Sequence, residues 1–224
     1  SLSLGLRLSL GLCLGLGLCL CLGLCLRLGL RLSLPLLRQG LLVRQVLLAL
    51  LLLLLLLEKL MAPLATEVWS IAPEREQSGT GHAFSLHQPV RLRNAGGRRY
   101  AVEGLPTDAT IMALGVVMAE NPPDLVISGV NRGANMGDDV TYSGTVGAAM
   151  EAALAGYPAI ALSLNRTPPN DAHWATVEAH LAPTLEWLLA ESWPRGCILN
   201  VNFPDRTPRD VKGRRITRLA RRKP

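Results

Sequence analysis

The sequence predicts an α/β fold, a mostly parallel sheet covered by helices on both faces. Three observations carry this. From Glu67 onward, short apolar runs alternate with stretches of helical spacing. That alternation is the pattern of right-handed βαβ units. The richest polar stretch, ISGVNRGANMGDDVTYSGTVGAAMEAAL over residues 127–154, leaves a strand and runs into a helix. In open parallel sheets that position, outside the carboxyl end of a strand, is where ligands bind. A chain of 224 residues suffices for one such domain.

The elements follow in order. EVWSIAP (67–73) is a short apolar run stopped by Pro73, and reads as a strand. EREQSGTGHAF (74–84) is a polar, glycine-bearing loop. SLHQPVRLRNAGGRRYAVEG reads as a hairpin turning at Asn94–Gly97. LPTDATIMALGVVMAE opens with Pro-Thr-Asp, a helix start, and continues with helical spacing. PPDLVISG reads as a buried strand, and SGTVGAAMEAALAG as a helix ended by Gly156. YPAIALSL is the next strand, HWATVEAHLAPTLEWLLAE an amphipathic helix, and CILNVNFP a further strand.

The first third is of another kind. Through residue 36 every even position is Leu, and the odd positions are almost only Ser, Gly, Arg and Cys. Those four share NGC codons, so the segment looks like a translated hexanucleotide repeat. Period-two alternation is a strand signal, yet strands run about 3–10 residues. Cys19, Cys21 and Cys25 make a poor zinc pattern, without His or a second cluster. The uncharged run Val46–Leu57 falls short of the roughly 20 residues a spanning helix needs. It reads as a Leu-rich helix packed on the next domain or as more of the same DNA tract, with a membrane anchor as the other reading. The expected organisation is a low-complexity segment over residues 1–57, not a folded domain, and a domain over 58–224.

Net charge is +6, unevenly placed: Arg209 to Lys223 holds eight basic residues and one acid. No aromatic residue accompanies them, so a solvated end is expected and no nucleic-acid partner. Four of the five cysteines lie in the first 25 residues. The remainder has no disulfide framework and fits a reducing compartment.

The loop after residue 128 is built for an anion. Leu125–Ser128 is its strand, and Ser143-Gly144-Thr145 opens the helix beyond it. Free N–H groups and the positive end of the helix dipole favour phosphate there. Gly144 admits close backbone approach, and Ser143 and Thr145 add hydroxyls. Asn131 and Asn135 offer amide oxygens to a hard cation or amide hydrogens to a phosphate. A plain helix cap on a long loop is the other reading of this spacing.

APEREQSGTGHAFSL, GLPTDAT, PDLVISGVNRGANMGDDVTYSGTVGAAMEAA and ILNVNFP together resemble the SurE family of 5′/3′-nucleotidases, which remove phosphate from nucleoside monophosphates. The resemblance runs from about Glu67 to Arg218. It implies a Rossmann-like three-layer α/β/α domain, a cytoplasmic phosphatase, a divalent metal (Mn²⁺ or Mg²⁺) and homodimers or tetramers. It further implies Ser78 and Asn131 as metal ligands, and Asn135, Ser143, Gly144 and Thr145 as phosphate contacts. A bound cation would neutralise the phosphate and activate a water for in-line attack. Asp138 and Asp139 are expected to brace the loop. His82 and His87 are acid–base candidates or, as loop histidines commonly are, structural residues.

The chain departs from the family pattern at one decisive point. The family's other metal ligands are consecutive aspartates in an Asn-Asp-Asp-Gly motif after the first strand. The first Asp of this chain is Asp108, and the Leu repeat stands where the first strand should be. Two neutral ligands hold a divalent cation poorly, because carboxylates supply most of the attraction. The expectation is therefore a nucleotidase fold lacking its N-terminal strand and C-terminal extension, with impaired hydrolysis. The alternatives are a phosphate-binding remnant without catalysis, or a membrane-associated protein anchored by the Leu tract.

Overall fold

The structure is a computed structural model, and it describes residues 54–167, 173–191 and 194–220. The alternating Leu repeat, the cysteine cluster and most of the run Val46–Leu57 lie outside the described residues, as do Arg221–Lys223 of the basic end.

Residues 54–61 are helical (α1). The strands are β1 (Ser70–Pro73), β2 (Arg91–Gly96), β3 (Arg99–Glu103), β4 (Val126–Arg132), β5 (Ala159–Leu164) and β6 (Ile198–Phe203). The other helices are α2 (Pro106–Met112, continued by a π-turn over Ala113–Val117), α3 (Asp139–Tyr142), α4 (Gly144–Leu154) and α5 (Trp174–Ala190). Every strand and helix expected from Glu67 onward is present. The first strand starts later than its apolar run, at Ser70, and the hairpin turn falls after Gly96, at the end of the expected stretch Asn94–Gly97.

Among the described residues the strands form two three-stranded sheets. The first has the order β1-β3-β2, with β1 parallel and β2 antiparallel to β3. The second is wholly parallel, β4-β5-β6. Among the described residues no strand pairs with both β1 and β4, so each is the edge of its own sheet. Helix α1 touches both groups. Leu57 is buried in the core over the second sheet, together with Val130, Leu162 and Leu181. One residue on, Glu58 takes a two-pronged hydrogen bond from Arg99 of β3, with Nε to Oε1 at 2.9 Å. That guanidinium holds the Glu58 carboxyl below its ordinary pKa, against the opposing effect of burial.

β5 organises the second sheet. All six of its residues are buried, as a strand paired on both sides and covered on both faces must be. Its side chains alternate in size. Ile160, Leu162 and Leu164 face Val177, Leu181 and Leu185 of α5. Ala159 and Ala161 face Val146, Ala149, Ala152 and Ala153 of α4. The large residues supply the apolar burial, about 1.5–3 kcal/mol per side chain. The small ones let α4 approach the sheet closely. Leu162→Ala empties the centre of the large-residue layer and is expected to cost roughly 2–5 kcal/mol. Urea denaturation measures it; a loss under about 1 kcal/mol would mean the layer is not packed as described.

Candidate active site

The site lies where α4 begins, at the carboxyl ends of the second sheet. In a parallel ladder, partners in register share a face. Asn131 of β4 is in register with Ser163 of β5, and Ser163 with Asn202 of β6. Ser163 follows Ala159 and Ala161 at period two, so this polar row lies on the α4 face. Asn200 shares a row with Ala161, on the same face.

Asn135 closes over the row and is itself buried. Its side-chain N–H donates to Ser163 Oγ at 2.8 Å, and its backbone N–H to Asn202 Oδ1 at 2.9 Å. Its carbonyl accepts from Asn200 Nδ2 at 2.8 Å and from Asn202 Nδ2 at 3.2 Å. The side chain expected to meet phosphate thus spends an amide hydrogen on a serine, and three of its polar groups fix the loop. Ser163, Asn200 and Asn202 carry no role in the sequence reading. A signal was available: Asn is scarce in strands, and two at i, i+2 in an apolar strand put amides on one face, where they need partners.

Asn131 donates from Nδ2 to the carbonyl of Gly133 at 2.8 Å. Beyond it, Asp138 takes the cap position of α3 without a side-chain cap bond, and its carbonyl accepts from Thr141 Oγ1 at 2.8 Å. The backbone of Asp138 thus takes part in that bracing.

Ser143 is the N-cap of α4: extended in backbone, its Oγ accepts from the N–H of Val146 at 3.2 Å. A hydroxyl that accepts through oxygen keeps its hydrogen for another acceptor. Gly144 and Thr145 are the first two helical residues, so their N–H groups have no carbonyl within the helix to bond. No acidic side chain occupies this first turn, which leaves the helix dipole uncompensated there.

The loop 74–84 lies on the same turn. A Cβ on Gly144 would fall 2.8 Å from Pro106 Cγ, 3.0 Å from Thr80 Oγ1 and 3.3 Å from the carbonyl oxygen of Gln77. On Gly147 it would fall 2.3 Å from the carbonyl oxygen of Gly81. The loop is further tied by the N–H of Gly81 to the carbonyl of Tyr142 at 2.9 Å. His82 Nε2 lies 2.9 Å from Glu151 Oε2. His87, the other candidate acid or base, is exposed. At the loop's far end Asp108 accepts from the N–H and Oγ of Ser85, at 2.9 and 2.7 Å, and from the N–H of Leu105 at 2.7 Å. Burial alone would raise the Asp108 pKa; these hydrogen bonds outweigh it and hold the carboxyl below its usual value.

Ser78 is exposed, and its hydroxyl donates to the carboxylate of Glu76. The two candidate metal ligands are thus one hydroxyl and one amide, each already hydrogen-bonded. A hard divalent cation is held largely by carboxylate oxygens. Glu76 reaches Ser78, but Asp108 is fully engaged elsewhere. Among the described residues no group of three His, Cys, Asp or Glu side chains could hold a metal. The donors present do not by themselves fit a divalent cation, whereas the α4 turn does fit a phosphate.

A second acid–histidine pair belongs to the other face. Asp205 Oδ1 lies 2.7 Å from His173 Nδ1, and Oδ2 accepts from the N–H of Thr167 at 2.7 Å. His173 first, then the Thr167 and His173 amides, lower the Asp205 pKa to about 2 against burial. This pair fastens the start of α5 to the segment after β6. Among the described residues no helix is long and apolar enough to cross a membrane.

Comparison with known proteins agrees with this architecture. A family profile described as Survival protein SurE matches residues 51–224, which takes in α1 and begins ahead of Glu67. A 5′-nucleotidase SurE of Paramagnetospirillum magneticum is 49% identical over 75% of this chain and 64% of its own length. One from Azorhizobium caulinodans is 48% identical over 73% of this chain and 65% of its own. The crystal structure of a SurE protein from Aquifex aeolicus superposes with a TM-score of 0.68 at 34% identity, covering 75% of this chain and 66% of that one. The chain therefore spans slightly less than two thirds of the length of these relatives.

Gly147→Ala tests the seating of the loop through the sign of its effect. Alanine is the better helix former by about 1 kcal/mol. Crowding against a backbone carbonyl costs typically 1–3 kcal/mol. The variant is expected to be less stable in thermal and urea denaturation; a more stable protein would mean that Gly81 does not lie on α4.

Proposed function

The chain belongs to the SurE family, and from that membership we propose that its site binds the phosphate of a nucleoside 5′- or 3′-monophosphate and serves a nucleotidase reaction. The observation that carries the reading is the α4 turn. Two free backbone N–H groups, a capping hydroxyl and a side-chain-free Gly144 converge at the positive end of an 11-residue helix. The curated relatives are named 5′-nucleotidases, which supports phosphomonoester hydrolysis as the reaction class.

In this reading the N–H groups of Gly144 and Thr145 and the hydroxyls of Ser143 and Thr145 hold the phosphate oxygens. Asn135 acts through the loop it fixes as much as through direct contact. Ser78 and Asn131 stand as neutral oxygen donors beside the phosphate, to a Mn²⁺ or Mg²⁺ ion where carboxylates complete its coordination. Such an ion would supply charge neutralisation and an activated water. No Asp precedes Asp108 in this sequence, and Asp108 is committed to Ser85 and Leu105. The 224-residue chain is therefore proposed to bind nucleotide better than it hydrolyses it. Domain limits of 58–224, assembly as a homodimer or tetramer and a cytoplasmic location belong to the same proposal.

A titration with adenosine 5′-monophosphate (AMP), with and without Mn²⁺, tests this directly. Binding is expected in both conditions, with little or no release of inorganic phosphate. Thr145→Ala, which removes one of the hydroxyls assigned to the phosphate, should weaken binding about tenfold, the scale of one hydrogen bond to a charged group. Mn²⁺-dependent hydrolysis that Asn131→Ala abolishes would overturn the impairment. Failure to bind AMP at all would overturn the phosphate site.

A further inference from the structure

We propose that His82 and Glu151 form a latch that positions the Ser78 loop over the phosphate turn. The inference rests on the reading of that turn as the phosphate site. It assigns both residues a positioning role: they act through the loop and do not touch the substrate.

The geometry is set by one stripe of α4. Residues 144, 147 and 151 are spaced i, i+3 and i+7, so they share a face of the helix. Gly144 and Gly147 leave the upper part of that face without side chains; Pro106 of α2 and loop atoms fill the space at Gly144, and the loop backbone fills it at Gly147. Gln77 and Thr80 lie against Gly144, and Gly81 against Gly147. Glu151 is the first residue of the stripe with a side chain able to grip, and it meets His82, the next loop residue, at 2.9 Å. At about 1.5 Å of rise per residue, the contact sits about 10 Å below Gly144 along the helix. The loop is thus laid along two turns of α4 rather than touching it at one point.

The other fastenings of this loop lead elsewhere. Glu74 donates its N–H to the carbonyl of Val102 in β3. Ser85 is held by Asp108 of α2. Within the loop, Thr80 Oγ1 donates to the carbonyl of Gln77 and the N–H of Ala83 to the carbonyl of Thr80. These bonds shape the loop and fix its ends. The bonds that reach α3 and α4 are those of Gly81 to Tyr142, the last residue of α3, and of His82 to Glu151 of α4. The first uses a backbone amide that any sequence supplies. The second depends on two particular side chains, each roughly a quarter to a third exposed.

Because Ser78 lies four residues before His82, release of the latch frees the segment that carries its hydroxyl. Helix α4 itself is held independently by Val146, Ala149, Ala152 and Ala153 in the core. Loss of the latch should therefore weaken the site while leaving the fold intact.

The test uses the full chain and three variants, with AMP as the probe. Glu151→Ala and His82→Ala each remove the contact. Glu151→Gln keeps it, since a glutamine amide can accept from an Nε2–H or donate to a bare Nε2. Calorimetric titration is expected to give about tenfold weaker AMP binding for the two alanine variants, and binding within about twofold of the parent for Glu151→Gln. Hydrogen exchange at the Gly81 amide should quicken in the alanine variants alone. If Glu151→Ala is folded and binds AMP as the parent does, or if Glu151→Gln is as weak as alanine, the latch is refuted. Should Glu151→Ala not fold, His82→Ala, on the loop side, decides by the same readouts. A parent chain that binds no AMP refutes the phosphate reading instead, and Gly81 exchange then still decides the latch.

Discussion

The site depends on the close approach of two backbones, the loop over residues 77–82 and the first turns of α4. Glycine at 144 and 147 makes the approach sterically possible: a methyl group at 147 would enter the space of the Gly81 carbonyl, and one at 144 would overlap Pro106 and crowd Thr80 and Gln77. What the approach achieves is electrostatic. The end of a helix carries unpaired N–H groups and about half a positive charge. A loop laid beside that end can bring Ser78 near the same point without a side chain intervening. Because a backbone carbonyl is the atom in contact with Gly147, the arrangement cannot relax by turning a rotamer. That makes it sensitive to a single added carbon.

The placement of α4 follows from the unequal faces of β5. On one face, Ile160, Leu162 and Leu164 supply the bulk that holds α5 and draws in Leu57 from α1. On the other, Ala159 and Ala161 meet a helix face made largely of alanine. Small against small gives less apolar burial per residue but a shorter distance between helix and sheet. At the carboxyl end of that closely packed face the residues turn polar: Asn131, Ser163 and Asn202 in one row, with Asn135 bonded across it. The apolar part of the sheet sets where α4 lies, and the polar row fixes the loop that leads into it.

Much of this was legible before any coordinates. Each strand and helix after Glu67 is marked by a short apolar run, a helical period, or a Pro or Gly stop. Ser143-Gly144-Thr145 reads as a helix start on spacing alone. What stayed hidden depends on contacts distant in sequence. The role of Asn135 turns on Asn200 and Asn202, some 65 residues away. Gly147 looks like an ordinary helix residue until Gly81 is placed against it. His82 reads as an isolated loop histidine, because its partner Glu151 lies 69 residues on. The division into two sheets is likewise invisible in a list of strands, since pairing and not strand count decides it.

The central claim is that phosphate is held by the first N–H groups of α4. Heteronuclear NMR of the ¹⁵N-labelled chain during titration with AMP addresses it most directly. The largest and saturable amide shifts should fall on Gly144 and Thr145, with smaller ones in the loop over residues 77–82. Shifts confined to the basic segment Arg209–Arg218, weakening with salt and absent from α4, would contradict the account.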